Sequence, residues 1–451
     1  MPDKHRNHGT TNHTRKEAIH MRRIRGISAI AFAGIAALTL SACQQGSANR
    51  DDDATDGGPV TLQFQSLSDQ PTTQAAIKEI VDAWNAENED VQVEIIQAGW
   101  DGTYDKLITQ FTGGTAPDII HFEASSIASF AADGYLADLT DLIDPALKSD
   151  ISEGIWDSVT HDGQIIAYPS TLQSYMAFAN VDLLEEAGIE VPQDGTLTWD
   201  QLRDMAKKAT KDGQYGLGWG LGSPTSTIMS LALGFDGGFF EGEGEDVTID
   251  VGDPELAVVD RIHEMAYTDK SIDPTSLTQS GSDVLASFYG GKIAMTVQGS
   301  FQATNIANDA PDGFDWVALP PIEGSAGAFQ SANPQTYSVN IDSEHVEESA
   351  DFLNFFMNSE NLAKIAYADA LIPSSGGARA EVETLAADNP AWTQVLASGE
   401  GLVGPPFLKV SKYTEWKDTV ATPAFQQFLA DQISRDELAK QLTDGWADVA
   451  G

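Results

Sequence analysis

The side chains able to do chemistry are unevenly supplied in this chain. Beyond residue 43 the histidines are His121, His161, His263 and His345, scattered and without metal-site spacing. The single cysteine is Cys43, which leaves no partner for a disulfide and, if it is used at the N-terminus, no thiol nucleophile. No GxSxG elbow occurs. The stretch 216–222, GLGWGLG, has neither dinucleotide nor Walker spacing, and reads as a strand or turn where two backbones approach closely. Carboxylates abound, 68 against 25 Lys and Arg, so number alone guarantees accidental acid/base pairs. The run EGEGED at 241–246 lacks the EF-hand pattern and reads as a solvated loop rather than a calcium site. Catalytic signatures therefore fail, and binding chemistry is what remains.

The elements that would position such chemistry are clearest at 113–144, GGTAPDIIHFEASSIASFAADGYLADLTDLID. Gly113-Gly114 reads as a helix stop. Asp118 to Phe122 is a short apolar run suited to a buried parallel strand. After the turn Glu123-Ala124-Ser125-Ser126, Ile127, Phe130 and Ala131 fall at helical spacing. A strand end opening at a helix N-terminus is where open α/β sheets bind ligands. Upstream, Val60 to Phe64 alternates as a first strand, and a helix from Thr72 carries Ile77, Ile80, Val81 and Trp84 on one face, which makes Trp84 a core residue. Val91, Val93 and Ile95 alternate as a second strand, and Tyr104 to Phe111 reads as a helix. This β-α-β-α-β order predicts a parallel sheet covered by helices.

The first 43 residues hold seven Lys/Arg and two acids, leaving 18 bases and 66 acids, a formal charge near −48. Such a surface repels nucleic acid and anionic lipid. Arg22 to Arg25 is a basic n-region, 26–40 an apolar run of signal-peptide length, and Leu40-Ser41-Ala42-Cys43 matches a bacterial lipoprotein signal. Met21 makes a better start than Met1. His5, His8, His13 and His20 then belong to precursor rather than to a metal site. The expectation is a signal peptide over 1–42, a lipidated Cys43, and a polar, Gly-rich tether over 43–58.

Five motifs in order resemble the bacterial extracellular solute-binding proteins, the maltose-binding-like receptors of ABC importers. They are APDII followed by FAADGYLADLTDLID; DGQIIAYP followed by FANVDLLEEAG; TWDQL from Thr198; FYGGKIAM followed by Gln298-Gly299-Ser300-Phe301; and EHVEESADFLNFF with Ile372-Pro373-Ser374-Ser375. The resemblance implies an α/β, two-lobed, type II periplasmic-binding-protein-like fold, each lobe a mostly parallel sheet covered by helices. It places the N-terminal lobe at 59–171 and 333–376 and the C-terminal lobe at 172–332 and 377–451, with crossings near 170–171, 331–333 and 375–377. Trp199, in the TWDQL motif, reads as a packing residue.

Sugars are held by aromatic faces against C–H patches and by planar amides or carboxylates against paired hydroxyls. The resemblance carries these roles onto Phe122, Glu123 and Ser125 at the strand end, and onto Gln173, an amide where a maltose-type receptor places a carboxylate. Phe301 falls on the family's stacking tryptophan. Tyr413 and Trp416 lie near its last cleft-side aromatic segment. Ser66, Asp69 and Trp100 are loop candidates of the first lobe, and Asn333 and Gln335 lie at a crossing. The implied function is an extracytoplasmic lipoprotein, anchored to the membrane through Cys43 alone, that captures a carbohydrate and delivers it to an ABC permease. It would act as a monomer, without cofactor, metal, enzymatic step or nucleic acid. The alternatives are a secreted glycoside hydrolase with paired carboxylates, and the same fold binding a polyamine or polyol phosphate.

Overall fold

The computed structural model describes residues 59–242, 247–387 and 389–451. The signal segment, Cys43, the tether and 243–246 of the acidic loop lie outside the described residues.

The first sheet grows from three parallel strands, β1 (Val60–Ser66), β2 (Val91–Gln97) and β3 (Ile119–Glu123). β1 lies in the middle, paired from Val60↔Val91 to Ser66↔Gln97 on one side and at Phe64↔Ile119 and Gln65↔Ile120 on the other. Strand Gln335–Val339 runs antiparallel beside β3, and the short strand Tyr168–Pro169 closes the far edge. Helix α1 (Pro71–Glu87) buries the expected stripe of Ile77, Ile80, Val81 and Trp84, and the indole Nε1 donates to the Val91 carbonyl at 3.0 Å. Phe64 meets Tyr337, Phe352 and Phe356 edge-on at 5.4–5.8 Å between ring centres. Each such pair adds about 0.5–1.5 kcal/mol beyond its buried area. Helix α2 (Thr103–Gly113) ends at the expected place, because Gly114 turns left-handed at φ +64°. Helix α3 (Ala124–Ala132) follows β3 without a loop.

The second sheet runs in the order 215–219, 293–299, 175–180, 316–318. Strands Tyr215–Trp219 and Ile293–Gly299 are parallel, whereas Tyr175–Asn180 is antiparallel to both its neighbours. Each sheet thus contains one reversed strand, and in each it is the strand that follows a passage from the other sheet. The glycine run lies where helix Trp199–Ala209 crosses the first of these strands. A Cβ on Gly216 would stand 1.8 Å from the Ala206 carbonyl oxygen, so close backbone approach explains the glycine. Trp199 is buried and stacks on Trp219 at 5.9 Å.

The passages between sheets are themselves paired. Thr171–Leu172 runs antiparallel to Ile372–Pro373, and Gln330–Ser331 runs parallel to Leu402–Val403. The third crossing was expected near 375–377, where helix Gly376–Leu385 begins. Helix Gly376–Leu385 packs along Ser359–Asp369, which itself lies on α1. The Gly377 N–H donates to the Asp150 carboxylate at 2.9 Å. Farther along, Gln394 donates to the Gln193 carbonyl at 2.7 Å.

Candidate functional site

β3 ends at Glu123, and α3 begins at the next residue, so the Glu123 side chain is held at a strand end with little freedom. Its Oε1 accepts from the Ser126 hydroxyl at 3.3 Å and its Oε2 from Asn333 Nδ2 at 3.2 Å. Asn333 is fixed in turn, because its Oδ1 accepts the Ser125 N–H at 3.0 Å and its Nδ2 also reaches Ser125 Oγ at 3.2 Å. Lys417 Nζ lies 3.6 Å from Glu123 Oε1 and 3.8 Å from Asp418 Oδ1. Lys417 and Glu123 are 18% and 23% exposed, which makes this a partly desolvated pair across the gap between the sheets. Burial lowers the Lys417 pKa, but the Glu123 and Asp418 carboxylates outweigh it, and the ammonium titrates above its ordinary range. Asp418 shifts upward through burial, opposed by Lys417 and reinforced by Glu123 and Asp105.

Glu123, Ser126, Lys417 and Asp418 border a cavity of about 420 Å³. One wall comes from the first sheet's side, with Trp100, Tyr104 and Phe122. Trp100 is 37% exposed and packs its ring against His121 at 5.7 Å and Phe122 at 5.9 Å, so its position is fixed while part of its surface stays open. The opposite wall comes from the start of helix Thr225–Ala232, with Ser223, Thr225 and Ser226, and from Thr414, Lys417 and Asp418. A second cavity of about 240 Å³ lies next to it and adds Gln173, Tyr175, Asn333 and Tyr413. Burial pushes the Tyr175 hydroxyl up to about 12, so it remains protonated at neutral pH. The combination is a fixed aromatic surface facing planar amide, carboxylate and hydroxyl groups, which suits a polyhydroxylated ring. Among the described residues no cluster of three His, Cys, Asp or Glu could hold a metal ion.

Of the twelve residues proposed from the sequence, Trp100, Phe122, Glu123, Gln173, Asn333 and Tyr413 line these cavities. The other six do not. Trp416 is fully buried, donates to the Leu442 carbonyl at 3.1 Å and packs on Phe240. Gln335 is engaged by His121 Nε2 at 3.1 Å. Ser125 is tied to Asn333. Ser66 is buried and receives the Ser68 N–H at 3.3 Å. Asp69 is exposed outside both cavities. Phe301 lays its ring over Gly299, where an added Cβ would meet Phe301 Cε1 at 2.4 Å. The sequence reading missed Tyr104, Tyr175, Ser226 and Lys417.

A sequence model of the bacterial extracellular solute-binding proteins matches residues 68–363. An uncharacterised lipoprotein in the oleD 5′ region of Streptomyces antibioticus is 36% identical over 394 residues, 87% of this chain and 86% of that protein. The fold is similar to that of the GacH receptor of Streptomyces glaucescens, solved unliganded and with acarbose. That match has TM-score 0.74 and 22% identity, over 87% of this chain and 98% of that one. It is also similar to T. maritima MalE3 with bound maltose, at TM-score 0.73 and 21% identity, over 86% and 100%.

Proposed function

The chain belongs to the bacterial extracellular solute-binding protein family, and from that premise we propose that it captures a carbohydrate between its two sheets and delivers it to an ABC permease. The observation that carries this reading is the shared cavity, with the half-open Trp100 face on one side and Glu123, Asn333 and Gln173 around its inner end. The acarbose and maltose complexes of the structural neighbours support the choice of a sugar. We place the lobe divisions at 170–174, 331–335 and 385–390, and closure about these passages would bury the ligand. A thermal-shift panel of neutral saccharides, polyamines and polyol phosphates tests the reading. A ligand at a hundred times its Kd adds about 2.7 kcal/mol of stability. Stabilisation by a neutral saccharide, recovered chromatographically unchanged, is the expected outcome. Stabilisation by polyamines or phosphates alone contradicts it, and a cleaved saccharide points instead to a hydrolase.

The anchor is part of the same proposal. Cys43 follows a basic and then an apolar segment and is the chain's single cysteine. Two acyl chains on that residue give stable membrane attachment. Cys43→Ser should move the protein from the membrane to the soluble fraction with an unchanged unfolding transition. Retention on the membrane as firm as wild type rules out this anchor.

A further inference from the structure

The first-sheet wall of the cleft repeats one pairing. Trp100-Asp101 and Tyr104-Asp105, four residues apart, each set an aromatic ring beside a carboxylate, and all four residues line the larger cavity. With Glu123 and Asp418 the described lining carries four carboxylates against one cation, Lys417. Lys417 is already engaged by Glu123 at 3.6 Å and Asp418 at 3.8 Å. No Lys, Arg or His among the described residues lies within ion-pairing distance of Asp101 or Asp105. Both are exposed, so water screens them until a solute takes its place.

Composition alone would put acids in any wall of so acidic a chain, but these carboxylates act on one another and on a cation. The Asp418 pKa is raised first by burial, and the Glu123 and Asp105 charges add to this against Lys417. Burial works against the Lys417 ammonium, yet Glu123 and Asp418 hold its pKa above the ordinary range. The cleft thus stabilises a nitrogen cation that is only 18% exposed. The Trp100 face, part of it open, adds the attraction of an aromatic ring for a cation. In the adjoining cavity, which shares Glu123, the Ser331 hydroxyl is buried and meets no partner among the described residues. A ligand N–H or O–H would satisfy it.

A neutral solute that displaces the water leaves Asp101 and Asp105 uncompensated, which costs free energy. An anionic solute adds repulsion. A solute that brings an ammonium compensates them with charge-assisted hydrogen bonds.

We propose that the preferred saccharide carries a protonated amine, an amino sugar whose ammonium lies beside Asp101 and Asp105 at the Trp100 wall. This names the substrate class within the carbohydrate reading and rests on it. A neutral saccharide still binds through the aromatic face and the planar groups, and the amine adds to that affinity.

Calorimetric titration of the full-length chain tests this with pairs that differ only in acetylation of the amine. The pairs are glucosamine and N-acetylglucosamine, the β-1,4 dimer of glucosamine and N,N′-diacetylchitobiose, and kanamycin A and its fully N-acetylated form. Maltose and lactose serve as sugars without nitrogen, and spermidine as an amine without a sugar. In the pair that binds, the free amine should be at least about tenfold tighter than its acetylated twin, and tighter than spermidine. Asp101→Asn and Asp105→Asn should each lower that amine-to-acetyl ratio by about threefold, the scale of one exposed charge pair. Urea unfolding checks that both variants fold. An acetylated twin as tight as its amine, binding by maltose or lactose alone, or an unchanged ratio in both folded variants overturns the amino-sugar preference while leaving a carbohydrate receptor. Binding by spermidine alone, or by no probe, counts against the carbohydrate reading itself and takes this inference with it.

Discussion

His121 lies on β3 directly behind the site, and its two ring nitrogens have different tasks. Nδ1 accepts the Leu67 N–H at 3.0 Å, so the proton sits on Nε2 and is donated to Gln335 Oε1 at 3.1 Å. Burial drives its pKa down to about 4, and the Gln335 contact raises it only in part. An unfolded histidine titrates near 6.5. Between those values the unfolded chain holds the extra proton, so this residue's stabilisation is complete above about pH 6.5 and is lost as pH falls towards about 4. His121→Gln keeps one acceptor and one donor but does not titrate. Urea unfolding at about pH 7 and about pH 4.5 should show the variant gaining on wild type by about 2–3 kcal/mol at the lower pH. A difference independent of pH contradicts the buried neutral tautomer. Phe301 makes the complementary case. Its ring covers Gly299 and lines neither cavity. Phe301→Ala should therefore cost about 2 kcal/mol in unfolding free energy and leave saccharide affinity within about twofold. A loss of affinity without a loss of stability would restore the platform role. Residue types at Glu123, Asn333 and Gln173 were legible from motif order. Whether Trp416 or Lys417 faces the cleft was not, because side-chain direction depends on which face of a short helix packs inward.

At the scale of elements the sequence carried much of the fold. Period-2 and period-3.6 patterns marked β1, α1 and β2, a short apolar run marked β3, and the Gly113-Gly114 stop of α2 fell where φ turns positive. The reversed strand in each sheet was not legible. Strands Tyr175–Asn180 and Gln335–Val339 are short, and nothing in their residue pattern encodes direction against a neighbour. The glycine run gives the sharpest test at this scale. An added methyl at Gly216 meets backbone, which cannot rotate away, whereas one at Gly404 meets nothing within 4 Å. Gly216→Ala should lose roughly 3 kcal/mol or more by overpacking, and Gly404→Ala should stay within about 0.5 kcal/mol of wild type. Equal stabilities for the two variants would remove the close-approach explanation.

For the whole molecule, the two sheets face one another across a gap bordered on one side by Trp100, Phe122 and Glu123 and on the other by Ser226, Thr414 and Lys417. The Glu123–Lys417 pair spans that gap at 3.6 Å, and the paired passages at 171–172 with 372–373 and 330–331 with 402–403 join the two halves. On the proposed reading the solute is held between the two walls, and it would select a closed arrangement because only there does it touch both. Small-angle X-ray scattering, with and without a saturating amount of the saccharide that most raises the unfolding temperature, measures this directly. A smaller radius of gyration is expected for the complex, with the shift removed by Trp100→Ala at the same saccharide concentration. Scattering curves that superimpose at saturation would contradict capture by closure between the two sheets.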